Sequence, residues 1–63
     1  MNHAEQAFTH ADRAVHHWQL ILAGSLSPAQ RNYARLELIR AVGQRVRARL
    51  ALEEEITHEV VAA

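Results

Sequence analysis

The 63-residue sequence contains no cysteine and no lysine, a single proline, two glycines, and one each of tryptophan, tyrosine and phenylalanine. Without cysteine there is neither a disulfide framework nor a thiolate metal site, so any core must come from packing alone. No unbroken apolar stretch exceeds four residues, far short of the roughly 20 that span a bilayer. Met1–Gln6 shows no basic region followed by an apolar run, and the expected location is cytoplasmic. A chain of this size makes one small domain, residues 1–63, whose core is marginal unless it oligomerises.

Charge is balanced in total and uneven along the chain. All seven basic residues are arginine; six of them fall in Ser25–Leu52 against Glu37 alone, while Glu53–Ala63 holds four glutamates and no arginine. The middle is therefore basic and the tail acidic. A neutral chain with so few aromatics lacks the net basic, stacking-rich face that nucleic-acid binding usually shows.

Apolar spacing gives the architecture. Ala4, Phe8, Ala11, Val15, Trp18 and Leu22 follow one another at steps of four and three, which predicts a first helix near residues 3–23 that presents one seam to a neighbour. Ala7, Ala14 and Ile21 flank that seam, and Gly24 reads as the C′ residue that ends the helix. Ser27 as N-cap, Pro28 at the first helical position and Gln30 three residues after the cap mark the start of a second helix. A connection of only Gly24–Ser27 makes an antiparallel hairpin. The second helix is expected to run from about 28 to 61; Gly43 marks either a close crossing with the alanine-rich first helix or a break into two shorter helices, and continuity is the expectation because no proline or turn cluster accompanies it. Its buried side is expected to be Leu36, Ile39, Val42, Gly43, Val46, Leu50, Glu53, Thr57 and Val60. The pairs Glu37/Arg40 and Arg49/Glu53 stand at helical contact spacing.

The second helix is the longer one and is expected to overhang the first by about a dozen residues, roughly 20 Å. The overhang carries Leu50, Leu52, Ile56, Val60 and Val61 for burial among Glu53, Glu54, Glu55 and Glu59. Arg31/Arg35 and Arg45/Arg49 are like-charge pairs four residues apart, mildly destabilising in an isolated helix, so an anionic group is expected beside them. Glu53, near the middle of the expected inward face, should be partly buried and find an arginine, Arg49 or one from another chain. These features point to association. The candidate partner-binding residues are Arg40, Arg45, Arg47, Arg49, Leu50, Leu52, Glu53, Ile56 and Val60, and the candidate dimer seam is Phe8, Ala11, Val15, Trp18, Leu22, Leu36, Ile39 and Val46. The fold expected is all-α, a helical hairpin dimerising into an antiparallel four-helix bundle, with a second copy, a larger protein, or both as partner.

Other constellations carry less. His3, His10 and His17 recur every seven residues on one outer stripe, about 10.5 Å apart along the axis, too far to share one metal ion. Their expected role is at most a pH-sensitive contact that weakens association on acidification. Glu55 and His58 spell Glu-x-x-His, the pair that di-iron bundles contribute, but both fall off the inward face. Ser25 and Ser27 are turn and cap residues with no histidine beside them, so no nucleophilic centre, cofactor or metal is expected and the protein reads as a non-enzymatic regulator, adaptor or inhibitor.

Two resemblances accompany this. In length and layout the chain looks like the Rop-type RNA-binding hairpins, which dimerise into four-helix bundles. No residue motif is shared, so the resemblance implies architecture and, as an alternative function, RNA binding, without assigning a residue. Val42–Leu50, VGQRVRARL, is similar to the first helix of phage-repressor-type helix-turn-helix domains, but no turn and recognition helix follow it in residues 51–63. A metal-handling bundle is the third and weakest alternative.

Overall fold

The computed structural model describes residues 3–62, with the side chains at positions 59, 61 and 62 outside that description. The expectations placed on Glu59 and Val61 therefore lie outside the described side chains. Two helices, α1 (His3–Leu22) and α2 (Pro28–Ala62), run antiparallel and pack on each other as an all-α hairpin. The molecule is a rod of 53 × 16 × 14 Å, and its long dimension is that of α2 alone, whose 35 residues span about 52 Å at 1.5 Å per residue.

The start of α2 is built as its sequence requires. Ser27 Oγ accepts from the Gln30 amide at 3.2 Å, and the Ser27 amide donates back to Gln30 Oε1 at 3.0 Å, so two otherwise orphaned amides are satisfied reciprocally. The end of α1 is different from expectation. Leu22 is its last residue, one earlier than predicted, and Gly24 has a negative φ. Its amide donates to the Ile21 carbonyl at 3.1 Å, a tightened last turn in place of a left-handed glycine cap.

The interior is made of alanine. The buried apolar residues are Ala4, Ala11 and Val15 from α1 and Ala34, Ala41 and Ala48 from α2; Val15 is the largest side chain fully enclosed, at 1% exposure. On α1 the seam is the one the spacing predicts, with Phe8, Trp18 and Leu22 half-buried around the alanines. On α2 it is not. Ala34, Leu38, Ala41, Arg45, Ala48 and Leu52, again at steps of four and three, form the buried and half-buried stripe, with Arg31, Glu37 and Gly43 half-buried away from it or at its edge. The face expected to be buried is turned away: Leu36 is 58% exposed, Ile39 67%, and Val42, Val46, Leu50 and Val60 are exposed with them. Two stripes at helical spacing run along α2, nearly opposite each other by periodicity, and the smaller residues face α1 because alanine lets two helices approach closely. Gly43 lies on the outer stripe, where an added Cβ would meet only Arg47 Nη2 at 4.0 Å. It marks no crossing with α1, and α2 runs through it unbroken.

Candidate protein-binding face

Three surfaces follow from this packing. The first is the outer stripe of α2, Leu36, Ile39, Val42, Val46 and Leu50, which no part of the hairpin covers. Large aliphatic side chains each give roughly 1.5–3 kcal/mol when removed from water, whereas an alanine methyl gives far less. On α2 the alanines are thus enclosed while five larger aliphatic side chains are left outside. Contiguous exposed apolar patches of a few hundred Å² mark interaction sites.

The second surface is the overhang. From Glu53 onward every described side chain is exposed, Ile56 and Val60 included, so positions 53–62 extend past α1 by roughly 15 Å, a little less than the dozen residues expected. Thr57 Oγ1 donates to the Glu53 carbonyl at 2.9 Å within this segment. Glu53 is exposed, against the expected partial burial, and accepts from Arg49 Nε at 3.3 Å. A wide depression of about 630 Å³ runs past Leu50, Glu53, Glu54, Thr57 and His58. One helix lines it, so it has no opposing wall and cannot enclose a substrate.

The third is a hollow of about 410 Å³ at the turn end, walled by both helices through Trp18, Ile21, Leu26 and Tyr33. Trp18 meets Tyr33 edge to face, with centroids 5.7 Å apart and ring planes at 76°. Tyr33 is exposed as expected, yet this ring contact ties it to α1. The hollow holds no carboxylate, histidine or serine.

The arginines divide into two groups. Arg45 Nη1 donates to Asp12 Oδ1 across the hairpin at 3.2 Å, both side chains about one-third exposed, and Arg40 Nη1 donates to Glu37 Oε1 at 2.9 Å. The anionic neighbour expected beside Arg45 is thus Asp12 of the same chain, a pairing between positions 33 residues apart that no local spacing announces. Arg13, Arg31, Arg35 and Arg47 make no ion pair among the described residues. His16 Nδ1 sits 3.0 Å from the Asp12 carbonyl and 3.5 Å from Asp12 Oδ2, while His3, His10 and His17 are exposed. Among the described residues no three His, Asp or Glu side chains converge as metal ligands, and no helix is long and apolar enough to cross a membrane. Glu55 and His58 are both exposed.

Of the candidate seam residues, Ala11 and Val15 are consumed inside the hairpin and Phe8, Trp18 and Leu22 are half-buried, whereas Leu36, Ile39 and Val46 lie on the outer stripe. One bundle seam shared by all eight therefore does not exist on this hairpin. Among the candidate partner-binding residues, Arg40, Arg47, Arg49, Leu50, Glu53, Ile56 and Val60 are exposed, and Arg45 and Leu52 half-buried. Compared with protein-family models, with curated proteins and with solved structures, the chain matches none.

Proposed function

We propose that this is a small, non-enzymatic cytoplasmic protein that works by binding another protein through α2 and its C-terminal overhang, as a regulator, adaptor or inhibitor. The observation that carries this is the inversion of α2: Ala34, Ala41 and Ala48 face α1, and Leu36, Ile39, Val42, Val46 and Leu50 face outward. Aliphatic side chains are the anchors, since their desolvation supplies affinity, and the flanking arginines and glutamates set register and suppress wrong partners. Its mechanism is occlusion or bridging, because the described surface offers an extended face and no enclosed catalytic pocket.

The test is a double variant. Leu50→Asp together with Ile56→Asp should remove a stoichiometric protein partner from the complex isolated under native conditions, while far-ultraviolet circular dichroism stays that of a helical hairpin. A partner retained at full stoichiometry by a folded double variant would overturn the assignment.

Arg31, Arg35 and Arg47, which lack acidic partners among the described residues, favour one alternative, an RNA-binding homodimer. It is separated by salt. Binding carried by phosphate contacts falls by at least about tenfold between 50 and 200 mM salt, whereas an apolar interface largely survives that change.

A further inference from the structure

The outer stripe of α2 has a layout that selects its occupant. Leu36, Ile39, Gly43, Val46 and Leu50 follow one another at steps of three, four, three and four, with Leu36 and Leu50 seven residues either side of Gly43. A stripe that is nearly symmetric about its midpoint matches itself when an identical helix crosses it antiparallel. The midpoint carries no side chain, and within the hairpin nothing occupies the space a Cβ would take except the tip of Arg47 at 4.0 Å. A second backbone can come close there.

Charge fixes the direction. In α2, six arginines and one glutamate precede Leu50, and Glu53, Glu54, Glu55 and Glu59 follow it without an arginine. A parallel pairing would lay arginine beside arginine and glutamate beside glutamate. An antiparallel one crossing at Gly43 sets each position beside the one equally far on the other side of 43. Arg31 and Arg35, which find no anion among the described residues, then come alongside the Glu53, Glu54 and Glu55 segment of the other copy and Arg49 alongside its Glu37, while Arg40 and Arg47 stay near the crossing. Area is compatible: at their observed exposures, the outer aliphatic side chains of one copy leave on the order of 500 Å² in water, so complete burial in two copies removes about 1,000 Å² from the stripe alone, the lower threshold of a specific interface, to which the flanking charged side chains add.

We infer that the outer stripe of α2 pairs antiparallel with the same stripe of a second copy, crossing at Gly43. The core of this dimer is α2 on α2, with both α1 helices outside, in place of a bundle that draws on both helices equally. The inference rests on the protein-binding assignment above and names the occupant of one face. The opposite side of the overhang, where Ile56 continues the Ala34–Leu52 seam past α1, stays free for a different protein.

Because the chain has no cysteine, single thiols report the arrangement directly. Leu36→Cys and Leu50→Cys proteins are treated with a short bismaleimide, each alone and as an equimolar mixture, and the covalent dimer is quantified. Antiparallel pairing predicts at least about fivefold more dimer in the mixture than in either protein alone. Equal yield from each protein alone means parallel pairing and overturns the inference, as does absence of cross-linking in all three samples. In parallel, Ile39→Asp with Val46→Asp should raise the dimer dissociation constant at least 100-fold with helicity retained, and a folded double variant that stays dimeric would also overturn it. Purified chain alone is measured, so the two assignments fail separately. A monomeric chain that still holds a protein partner through the overhang sinks only the self-pairing, and a cross-linked antiparallel dimer with no protein partner on the Ile56 side of the overhang sinks only the docking.

Discussion

Arg45 Nη1 lies 3.2 Å from Asp12 Oδ1, an ion pair that ties α1 to α2. It sits at a seam position that would otherwise hold an apolar residue, between Ala41 and Ala48. Both side chains are about one-third exposed, so solvent screening keeps its worth near the upper end of the range for surface pairs, about 1 kcal/mol. Asp12→Ala should cost that much, because it leaves Arg45 half-buried without a carboxylate. Glu37→Ala, which removes only the local pair with the exposed Arg40, should cost less than about 0.5 kcal/mol. Thermal melts of the two variants check this, and equal losses would show that the inter-helix pair holds nothing together.

The seam should reject bulk. Ala34 and Ala41 are 1% and 4% exposed, and leucine at either position has to push the helices apart, at a cost of about 1–3 kcal/mol. Leu36→Ala, on the outer stripe, should change the stability of the isolated hairpin by less than about 0.5 kcal/mol. Urea titrations at high dilution, where association is minimal, measure both. A destabilising Leu36→Ala together with a silent Ala41→Leu would mean that the seam had been assigned to the wrong face.

The capping box gives a prediction of its own. Ser27→Ala breaks the bond to the Gln30 amide and should lower stability by about 1 kcal/mol. Thermal unfolding by circular dichroism resolves this, since about 1 kcal/mol moves the midpoint of so small a domain by several degrees.

Gly43 separates the single hairpin from its assembly. In an Ile39→Asp background, Gly43→Ala should stabilise α2 by roughly 0.5–1 kcal/mol through helix propensity, as its Cβ meets no packed neighbour. Gly43→Phe in the otherwise unaltered chain should weaken self-association at least tenfold, by holding the two α2 axes apart. Sedimentation at a series of concentrations reads the second effect, and association unaffected by phenylalanine would remove Gly43 from the crossing.

How much of this was legible in the residues differs between the helices. α1 has one apolar stripe, so its seam, from Ala4 to Leu22, could be read directly. The Ser27/Gln30 cap and the Glu37/Arg40 and Arg49/Glu53 pairs are local and were equally plain. α2 carries two stripes. A ranking by side-chain size chooses Leu36, Ile39 and Val46 as the inner one, yet the fit against the alanines of α1 decides for Ala34, Ala41 and Ala48. The signal was present as an alanine every seven residues, but alanine is also an excellent helix former on any face and does not announce burial. Asp12 with Arg45 was illegible for a related reason, since the pairing depends on which stripe turns inward. The exposed position of Glu53 follows from the same exchange of faces.

The central claim is that a hairpin whose α2 turns alanines inward and larger aliphatics outward completes its core by self-association. Sedimentation equilibrium of the purified, nucleic-acid-free protein at low and high salt tests it most directly. The account predicts a mass of two 7.1 kDa chains at micromolar concentration, little changed by salt. A helical, stably folded monomer at about 7.1 kDa under both conditions, up to the highest soluble concentration, would contradict it.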